Sequence, residues 1–267
     1  MALPPPFGPK KPSVSVVRLT GMIAANARGL NDATVAPLLE RAFRRRPKAV
    51  AISINSPGGS PVQSSLIGAR IRRLSEEKEI PVIAFIEDAA ASGGYWLAAA
   101  ADEIFVDPSS IVGSIGVISS SFGFQEFIDR HGVERRIHTS VGSKSFLDPF
   151  RAEKEEDVER LRRLQNEIHE AFTAHVVARR GARLRSDEDL FTGEFWTGKR
   201  AVELGLADGV GHLVPEMKRR FGDKVRFNVQ APKRSLFRRI GLGAATEMLS
   251  AAGDHVEERA QWARLGL

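Results

Sequence analysis

Short apolar runs alternate with longer amphipathic segments through the first half of the chain, and this alternation constrains the fold more than any other feature. The strand-length runs lie at residues 14–19, 49–54, 81–86 and 103–106. The intervening segments 31–45 and 64–75 carry apolar residues at helical spacing. Strands that alternate with helices in this way predict parallel βαβ units with right-handed crossovers. We therefore predict an α/β fold.

The second half of the chain is more helical and ends in a segment of different composition. A long charged helix is predicted over residues 151–180, and Thr197-Gly198 precedes a short one. After Pro232 the chain is first basic and then amphipathic, with a predicted helix over 244–264. We divide the sequence into a disordered N-terminus (1–12), one domain that is long enough for a single hydrophobic core (13–232) and a C-terminal helical tail (233–267).

Composition excludes several classes of protein. The chain has no cysteine, which rules out disulfides, thiolate catalysis and cysteine metal sites. No apolar run approaches the roughly 18 residues of a membrane span, and the N-terminus does not have the pattern of a secretory signal. We therefore expect a cytoplasmic protein, with a peripheral position at the inner membrane face as a further possibility.

The net charge of +6 is concentrated in clusters of Lys and Arg. They lie at residues 44–46, 183–185, 218–220, 233–234 and 238–239. Such clusters are usually solvated surface, although they can also hold anionic lipid or nucleic acid. No nucleic-acid-binding motif accompanies them, so we predict no nucleic-acid partner. The C-terminal tail is a candidate for contact with anionic lipid, the alternative being a packing or oligomerisation helix.

Ser92 is the residue that points to chemistry. It lies in residues 90–96 (AASGGYW), between a predicted strand and an alanine-rich predicted helix. A serine at such a turn can meet a substrate carbonyl, with the next backbone N–H directed at the developing oxyanion. Two further loops carry small residues, at 55–59 (NSPGG) and 141–149 (VGSKSFLDP). Taken singly, each of these motifs is equally compatible with a structural turn.

Lys144, in the third of these loops, is the candidate base for Ser92. A free lysine has a pKa of about 10.4, but burial disfavours the charged form and can make the amine a usable base near pH 7. A histidine base is the competitor. None of the six histidines lies in a glycine-flanked loop, and we predict surface or capping roles for His169 and His175 on the long helix. No metal-ligand motif is present, so we predict no metal and no cofactor.

The motifs together resemble a known family. They are NSPGG (55–59), ASGGY (91–95), VGSIGV (112–117), GSK (142–144) closed by Pro149, and FWTG (195–198) followed by Ala201, 204–206 and Asp208. In this order they resemble the signal peptide peptidase A, or protease IV, family of serine–lysine peptidases in its short, single-repeat form. The resemblance covers residues 14–215. Short members of that family often begin with a membrane anchor, which this sequence does not show.

The resemblance implies a fold, a mechanism and an assembly. The fold is the one shared by Clp protease and crotonase, with stacked βαβ units and catalytic groups on loops. Ser92 would be the nucleophile and Lys144 the general base, with Ser114 holding the lysine amine in orientation. Gly59 and Gly93 would supply the N–H groups of the oxyanion hole. The family forms ring-like homo-oligomers, so we expect a homo-oligomer in which a neighbouring subunit can complete the cleft.

The expected substrates are extended or apolar peptides such as signal-peptide remnants. Apolar residues near the motifs, Tyr95 and Phe146 among them, are candidates to line specificity pockets together with the backbone of Gly58 and Gly94. Two other functions stay open at this point. One is a crotonase-like acyl-CoA enzyme, which uses an oxyanion hole without a serine nucleophile. The other is a non-catalytic, membrane-associated scaffold of the same fold.

Overall fold

A twisted, mainly parallel sheet with helices on both faces forms the described part of the chain. The computed structural model describes residues 11–26, 29–231, 259–260 and 262–267. The predicted α/β class is confirmed. Most of the predicted N-terminal segment (1–12) and of the tail (233–267) falls outside the described residues, so both stay predictions.

Within the described residues from 13 to 230 the chain forms eight strands and seven α-helices, and the first four strands alternate with helices as predicted. The strands are β1 (Ser13–Thr20), β2 (Ala49–Ser56), β3 (Val82–Ala91), β4 (Glu103–Val106), β5 (Ile111–Gly113), β6 (Phe195–Thr197), β7 (Gly209–Val210) and β8 (Arg226–Gln230). The helices are α1 (Asp32–Arg44), α2 (Pro61–Lys78), α3 (Gly93–Ala99), α4 (Gln125–Arg130), α5 (Glu155–Arg180), α6 (Gly198–Glu203) and α7 (Leu213–Phe221). None of the helices in the described ranges is long and apolar enough to cross a bilayer.

The strand order is β6-β5-β3-β2-β1-β8, with β4 attached to β3 and β7 attached to β4. Every pair is parallel except β5 with β6. In β1, Val14 and Val16 join one apolar cluster and Val17 and Leu19 the other. Side chains alternate between the two faces of a strand, so these four apolar residues are buried on both faces of the sheet.

Strand β3 runs five residues beyond the predicted end at Ile86. The prediction stopped there because the polar residues at a bulge interrupt the apolar pattern of the strand. Glu87 and Asp88 are exposed at this bulge and accept hydrogen bonds from Ser53 Oγ (2.6 Å) and Asn55 Nδ2 (2.5 Å). The pairing of β3 changes here, from β4 before the bulge to β5 after it. The redirected end of the strand leads into the segment that carries Ser92.

A buried network fastens helix α5 to the loop after α6. The Arg180 side chain is 1% exposed and donates to Asp208 Oδ2 (2.7 Å) and to Gly205 O (2.7 Å). Beside it the Tyr95 hydroxyl donates to Leu206 O (2.8 Å), and burial raises the pKa of that hydroxyl. The network therefore ties α3, which follows Ser92, to α5 and to the end of α6.

Replacing Arg180 with Leu should lower the free energy of unfolding by about 3 kcal/mol. The change leaves the Gly205 carbonyl without its side-chain donor and removes the nearest cation from Asp208, which keeps Ile104 N–H (2.7 Å) and the more distant Arg183 (3.7 Å). Chemical denaturation at pH 7 measures this. Arg200→Leu is the matched control: Arg200 pairs with Glu188 and Glu203 at the surface, and its loss should cost under about 1 kcal/mol. Equal losses for the two variants would contradict the structural role of Arg180.

Residues 117–154, here called the arm, make few contacts with the rest of the described chain. The arm exposes large apolar side chains, namely Ile118, Phe122, Phe124, Phe127, Val133 and Val141. The amino-terminal half of α5 continues this exposure, with Leu164 47% and Ile168 37% accessible. Among the apolar residues of α5, Phe172 and Val176 in its second half are buried.

Candidate functional site

Ser92 lies between the end of β3 and the first turn of α3, as the motif predicts. Its backbone has φ 51° and ψ −122°, a region that residues other than glycine rarely adopt. Hydrogen bonds hold it on both sides: Ser92 N donates to Gly113 O (2.8 Å), and Ser92 O accepts from Tyr95 N (2.9 Å). Its hydroxyl bonds to none of the described residues and is partly accessible. The fold thus presents a free hydroxyl on a strained, rigid turn.

The glycine turn at 55–59 packs directly against the Ser92 turn. Gly59 has φ +135°, and a Cβ there would overlap Ile23 O. A Cβ on Gly93 would overlap Ser64 Oγ and would lie 3.5 Å from Gly59 N. Only glycine at both positions permits this approach. The amides of Gly59 and Gly93 therefore lie near each other beside Ser92, and neither donates to an acceptor in the described part of the chain.

Ser114 lies in the loop that follows β5, next to the residue that fixes the Ser92 backbone. It has φ 52°, and its N–H donates to Glu194 O (2.6 Å). Ser114 lines the same cleft as Ser92, Gly59 and Gly93. The structure thus brings together four of the residues that the sequence singled out.

Lys144 is not brought to Ser92 within the described chain. It lies on a 3-10 helix (Gly142–Ser145) in the arm, is exposed, and is not among the residues that line the cleft. Phe146 lies outside the cleft too, half-buried beneath the Arg160 guanidinium at 5.7 Å from the ring centroid. The roles assigned to these two residues stay predictions, and both depend on where the arm is placed.

Tyr95 is a core residue, and its predicted role in lining a substrate pocket is wrong. The side chain has no accessible surface, and its hydroxyl is bonded to Leu206 O. Gly94 is buried as well, and it packs so closely that a Cβ there would lie 2.5 Å from Ser56 O. Gly58 is buried behind the same turn, where a Cβ would lie 2.8 Å from Ser92 Cβ. These residues shape the turns beneath the cleft.

The cleft around Ser92 has a volume of about 720 Å³ and is lined mainly by apolar and small polar residues. Its apolar walls include Met22, Ile23, Trp96, Val117, Ile118, Ile168, Phe172, Phe191 and Phe195. No carboxylate of the described residues lines it, and Arg264 is its charged member. This lining suits small or apolar groups better than charged ones.

One wall of the cleft was missed at the sequence level. Helix α5 contributes Gln165, Ile168, His169 and Phe172, and His169 is half-buried here instead of having the predicted surface or capping role. Its Nε2 atom is buried and makes no hydrogen bond within the described residues. The signal was available, since positions 165, 168, 169 and 172 form one helical face.

Trp96 forms the floor of the cleft beneath α5. Its ring stacks on Phe172 and on His175, with centroids 5.0 Å and 4.8 Å apart. His175 Nε2 lies 3.0 Å from Trp96 O, and burial lowers the pKa of the imidazole, so the neutral ring donates this bond. His175 therefore braces α3 against α5, a half-buried packing role instead of the predicted surface or capping role.

The fold and the site together define a class of protein. The S49 peptidase family profile matches residues 75–220, and the chain belongs to peptidase family S49. A mutant of the 1510-N membrane-bound stomatin-specific protease is similar in structure, with a TM-score of 0.51 and 16% identity over 84% of this chain and 99% of that one. The predicted Clp/crotonase-like fold and the resemblance to signal peptide peptidase A are confirmed at this level.

Particular relatives include longer proteins. A putative signal peptide peptidase SppA of Enterococcus faecium is 29% identical over 62% of this chain and 48% of its own length. A Brucella melitensis protein named Na(+)/H(+) antiporter NhaA is 47% identical over 99% of this chain. The chain spans 38% of that protein. It therefore covers less than half of these two relatives.

Proposed function

We propose that the chain is a serine endopeptidase that forms an acyl-enzyme on Ser92. The observation that carries the proposal is the strained Ser92 turn packed against the Gly59 turn, with an unbonded hydroxyl beside two unbonded amides. In the first step Ser92 Oγ attacks the peptide carbonyl carbon. The carbonyl oxygen then becomes an oxyanion that accepts hydrogen bonds from Gly59 N–H and Gly93 N–H.

Lys144 is the proposed general base. Its neutral amine takes the Ser92 Oγ proton during attack and gives that proton to the leaving amine as the peptide C–N bond breaks. Water then attacks the ester carbonyl carbon and passes a proton to the Lys144 amine. The ester C–O bond breaks, Lys144 returns the proton to Ser92 Oγ, and the acid product leaves. The cleft supports this role because it holds no carboxylate among the described residues, so an amine inserted there gains little from staying charged. Ser114, in the cleft wall, would orient the amine.

Lys144 is proposed to reach Ser92 from a neighbouring copy of the chain. Lys144 lies outside its own cleft, on an arm with exposed apolar residues. Phe122 (78% accessible) and Phe127 (61%) have ring contacts within the arm itself, to Phe124 and His131, and still present most of their surface to solvent. The exposed Leu164 and Ile168 at the rim of the cleft offer an apolar surface of the same kind. A head-to-tail homo-oligomer would cover both surfaces and complete each cleft with the arm of the next subunit.

The proposed substrates are extended or apolar peptides, such as the remnants of signal peptides. Support comes from the apolar lining of the cleft and from the name of the Enterococcus relative. A crotonase-like acyl-CoA enzyme is the second candidate, and it would use the same amides without Ser92. The antiporter name of the Brucella relative describes a longer protein, and we do not extend it to this chain. A non-catalytic scaffold is the third candidate.

Covalent labelling separates these candidates. A peptidyl phosphonate with an apolar side chain should add its mass to the tryptic peptide that contains Ser92, because only an activated hydroxyl attacks phosphorus. Intact-protein and peptide mass spectrometry locate the adduct, and Ser114→Ala should still be labelled at Ser92, though more slowly. Labelling that persists in Ser92→Ala, or none in the wild-type protein, would contradict the peptidase proposal and favour the acyl-CoA or scaffold candidate.

A further inference from the structure

Charged side chains are unevenly paired across the described surface. Exposed arginines such as Arg73, Arg162, Arg185 and Arg200 each form an ion pair with a nearby carboxylate. The predicted cluster at 218–220 is likewise neutralised in part, since Arg219 and Arg220 pair with Glu216. Unpaired cations collect elsewhere, at the end of the sheet opposite Ser92.

This basic amino edge consists of eight exposed cations, namely Lys11, Arg44, Arg45, Arg46, Lys48, Lys78, Lys224 and Arg226. Strand pairing places them together: Lys48 N donates to Ser13 O (2.8 Å), Arg226 N donates to Pro12 O (2.9 Å), and Val50 N donates to Pro81 O (2.9 Å). The starts of β8, β1, β2 and β3 are thus neighbours, spanning about 14 Å at the usual strand spacing.

None of the eight forms an ion pair with a carboxylate in the described part of the chain. Two exposed acids, Glu79 and Asp223, also lie at this edge without an ion pair. Eight cations therefore face two acids at this edge, and the surface is positive overall. Such a surface attracts an extended anionic partner.

We propose that the basic amino edge docks the protein onto the anionic surface of a lipid bilayer. The cations lie at strand starts and helix ends along one edge of the sheet, which suits a broad charged plane. They do not follow the side of a helix that could enter a DNA groove, and the nearby Phe43 and Phe221 are buried or half-buried and cannot stack on bases. Clusters of four to eight exposed cations are typical of binding to anionic headgroups.

Docking at this edge would fix the orientation of the cleft relative to the bilayer. Strand β2 runs from the basic amino edge at Ala49 to the glycine turn that borders the cleft, eight residues or about 26 Å. Ser92 would therefore face away from the bilayer, toward peptides in solution. This inference is independent of the proposed chemistry, because it concerns binding alone.

Co-sedimentation with vesicles tests the docking. The full chain should bind vesicles of 30% phosphatidylserine in phosphatidylcholine, and binding to pure phosphatidylcholine should be far weaker. Each cation near an anionic surface contributes about fivefold in partitioning, so Arg44→Gln with Arg45→Gln, Arg46→Gln and Lys48→Gln should weaken binding by at least about 100-fold. Raising the salt from 0.05 to 0.5 M should weaken wild-type binding strongly. Unchanged melting temperature in the variant confirms its folding.

A charge-matched variant tests whether vesicle binding depends on the basic amino edge or only on the net positive charge of the protein. Arg73→Gln with Arg162→Gln, Arg185→Gln and Arg200→Gln removes four exposed cations that are paired, and it should change vesicle binding by less than about fivefold. Equal losses in the two quadruple variants would overturn the proposal. So would the absence of vesicle binding, or tighter binding to duplex DNA than to the vesicles.

Orientation is measured on the same vesicles. The chain has no cysteine, so a single fluorophore can be attached at Asp223→Cys on the basic amino edge or at Ser65→Cys, which is exposed on α2. Headgroup nitroxide lipids should quench the label at position 223 several-fold more than the label at position 65. Stronger quenching at position 65 would overturn the proposed orientation.

Discussion

Replacing Ser92 with Ala is expected to lower kcat/KM for an extended apolar fluorogenic peptide by about 10⁴-fold or more. The substitution removes the attacking oxygen and leaves the amides of Gly59 and Gly93 in place, so only the residual effect of binding and of the oxyanion hole should remain. Because the Ser92 hydroxyl bonds to none of the described residues, the unfolding free energy should change by less than about 1 kcal/mol. Steady-state kinetics and a denaturation curve on one preparation measure both effects.

Ser65→Ala is the matched control for this substitution. Ser65 is exposed on α2, and its loss should change kcat/KM by less than about twofold. Ser92→Ala that retains wild-type activity would remove Ser92 from the mechanism. Loss of activity together with loss of the folded state would instead assign Ser92 to the stability of the turn, so the two measurements have to be made together.

Replacing Lys144 with Ala is expected to abolish hydrolysis to a similar degree, although Lys144 is exposed and does not line the cleft of its own chain. The reason is that the proposed base arrives from a neighbouring subunit, so the isolated chain does not display the completed site. Lys154→Ala is the matched control and should remain active, since Lys154 is a second exposed lysine, at the last residue of the arm.

Mixing the two inactive variants makes the expectation more specific. A Lys144→Ala subunit still has Ser92, and a Ser92→Ala neighbour still has Lys144. If subunits exchange freely at equal amounts, about one interface in four pairs an intact serine with an intact lysine, so activity should return to about a quarter of the wild-type rate. A mixture that forms mixed oligomers yet stays inactive would show that each chain uses its own lysine. Wild-type activity in Lys144→Ala alone would exclude Lys144 as the base.

Much of the central fold was predictable because its signals are local. The strands β1, β2 and β4 carry apolar residues on both faces, and their pattern appears within four to eight residues. Helix α1 is set by a capping box at Asn31, whose side chain accepts from Thr34 N (3.0 Å). The short strands β5, β6 and β7 have no such signal. Each exists because a neighbouring strand supplies its hydrogen bonds, which a window along the sequence does not contain.

The residues of the site were likewise predictable only where their signal is local. Ser92 and the two glycines that follow it were recognisable, because a small nucleophile between a strand and a helix has a local sequence pattern. Tyr95 was misassigned for the opposite reason. Whether an aromatic three residues from a nucleophile lines the cleft or enters the core depends on Leu206, more than a hundred residues away.

The sequence by itself therefore determined the kind of turn at Ser92, the glycines that such a turn requires, and the alternation that builds the sheet. Only the tertiary structure decided that the Gly59, Ser92 and Ser114 loops meet at one cleft, that α5 forms its wall through His169, and that Lys144 lies outside it. Local conformation follows from neighbouring residues. The meeting of loops that are tens of residues apart follows from strand order and helix packing.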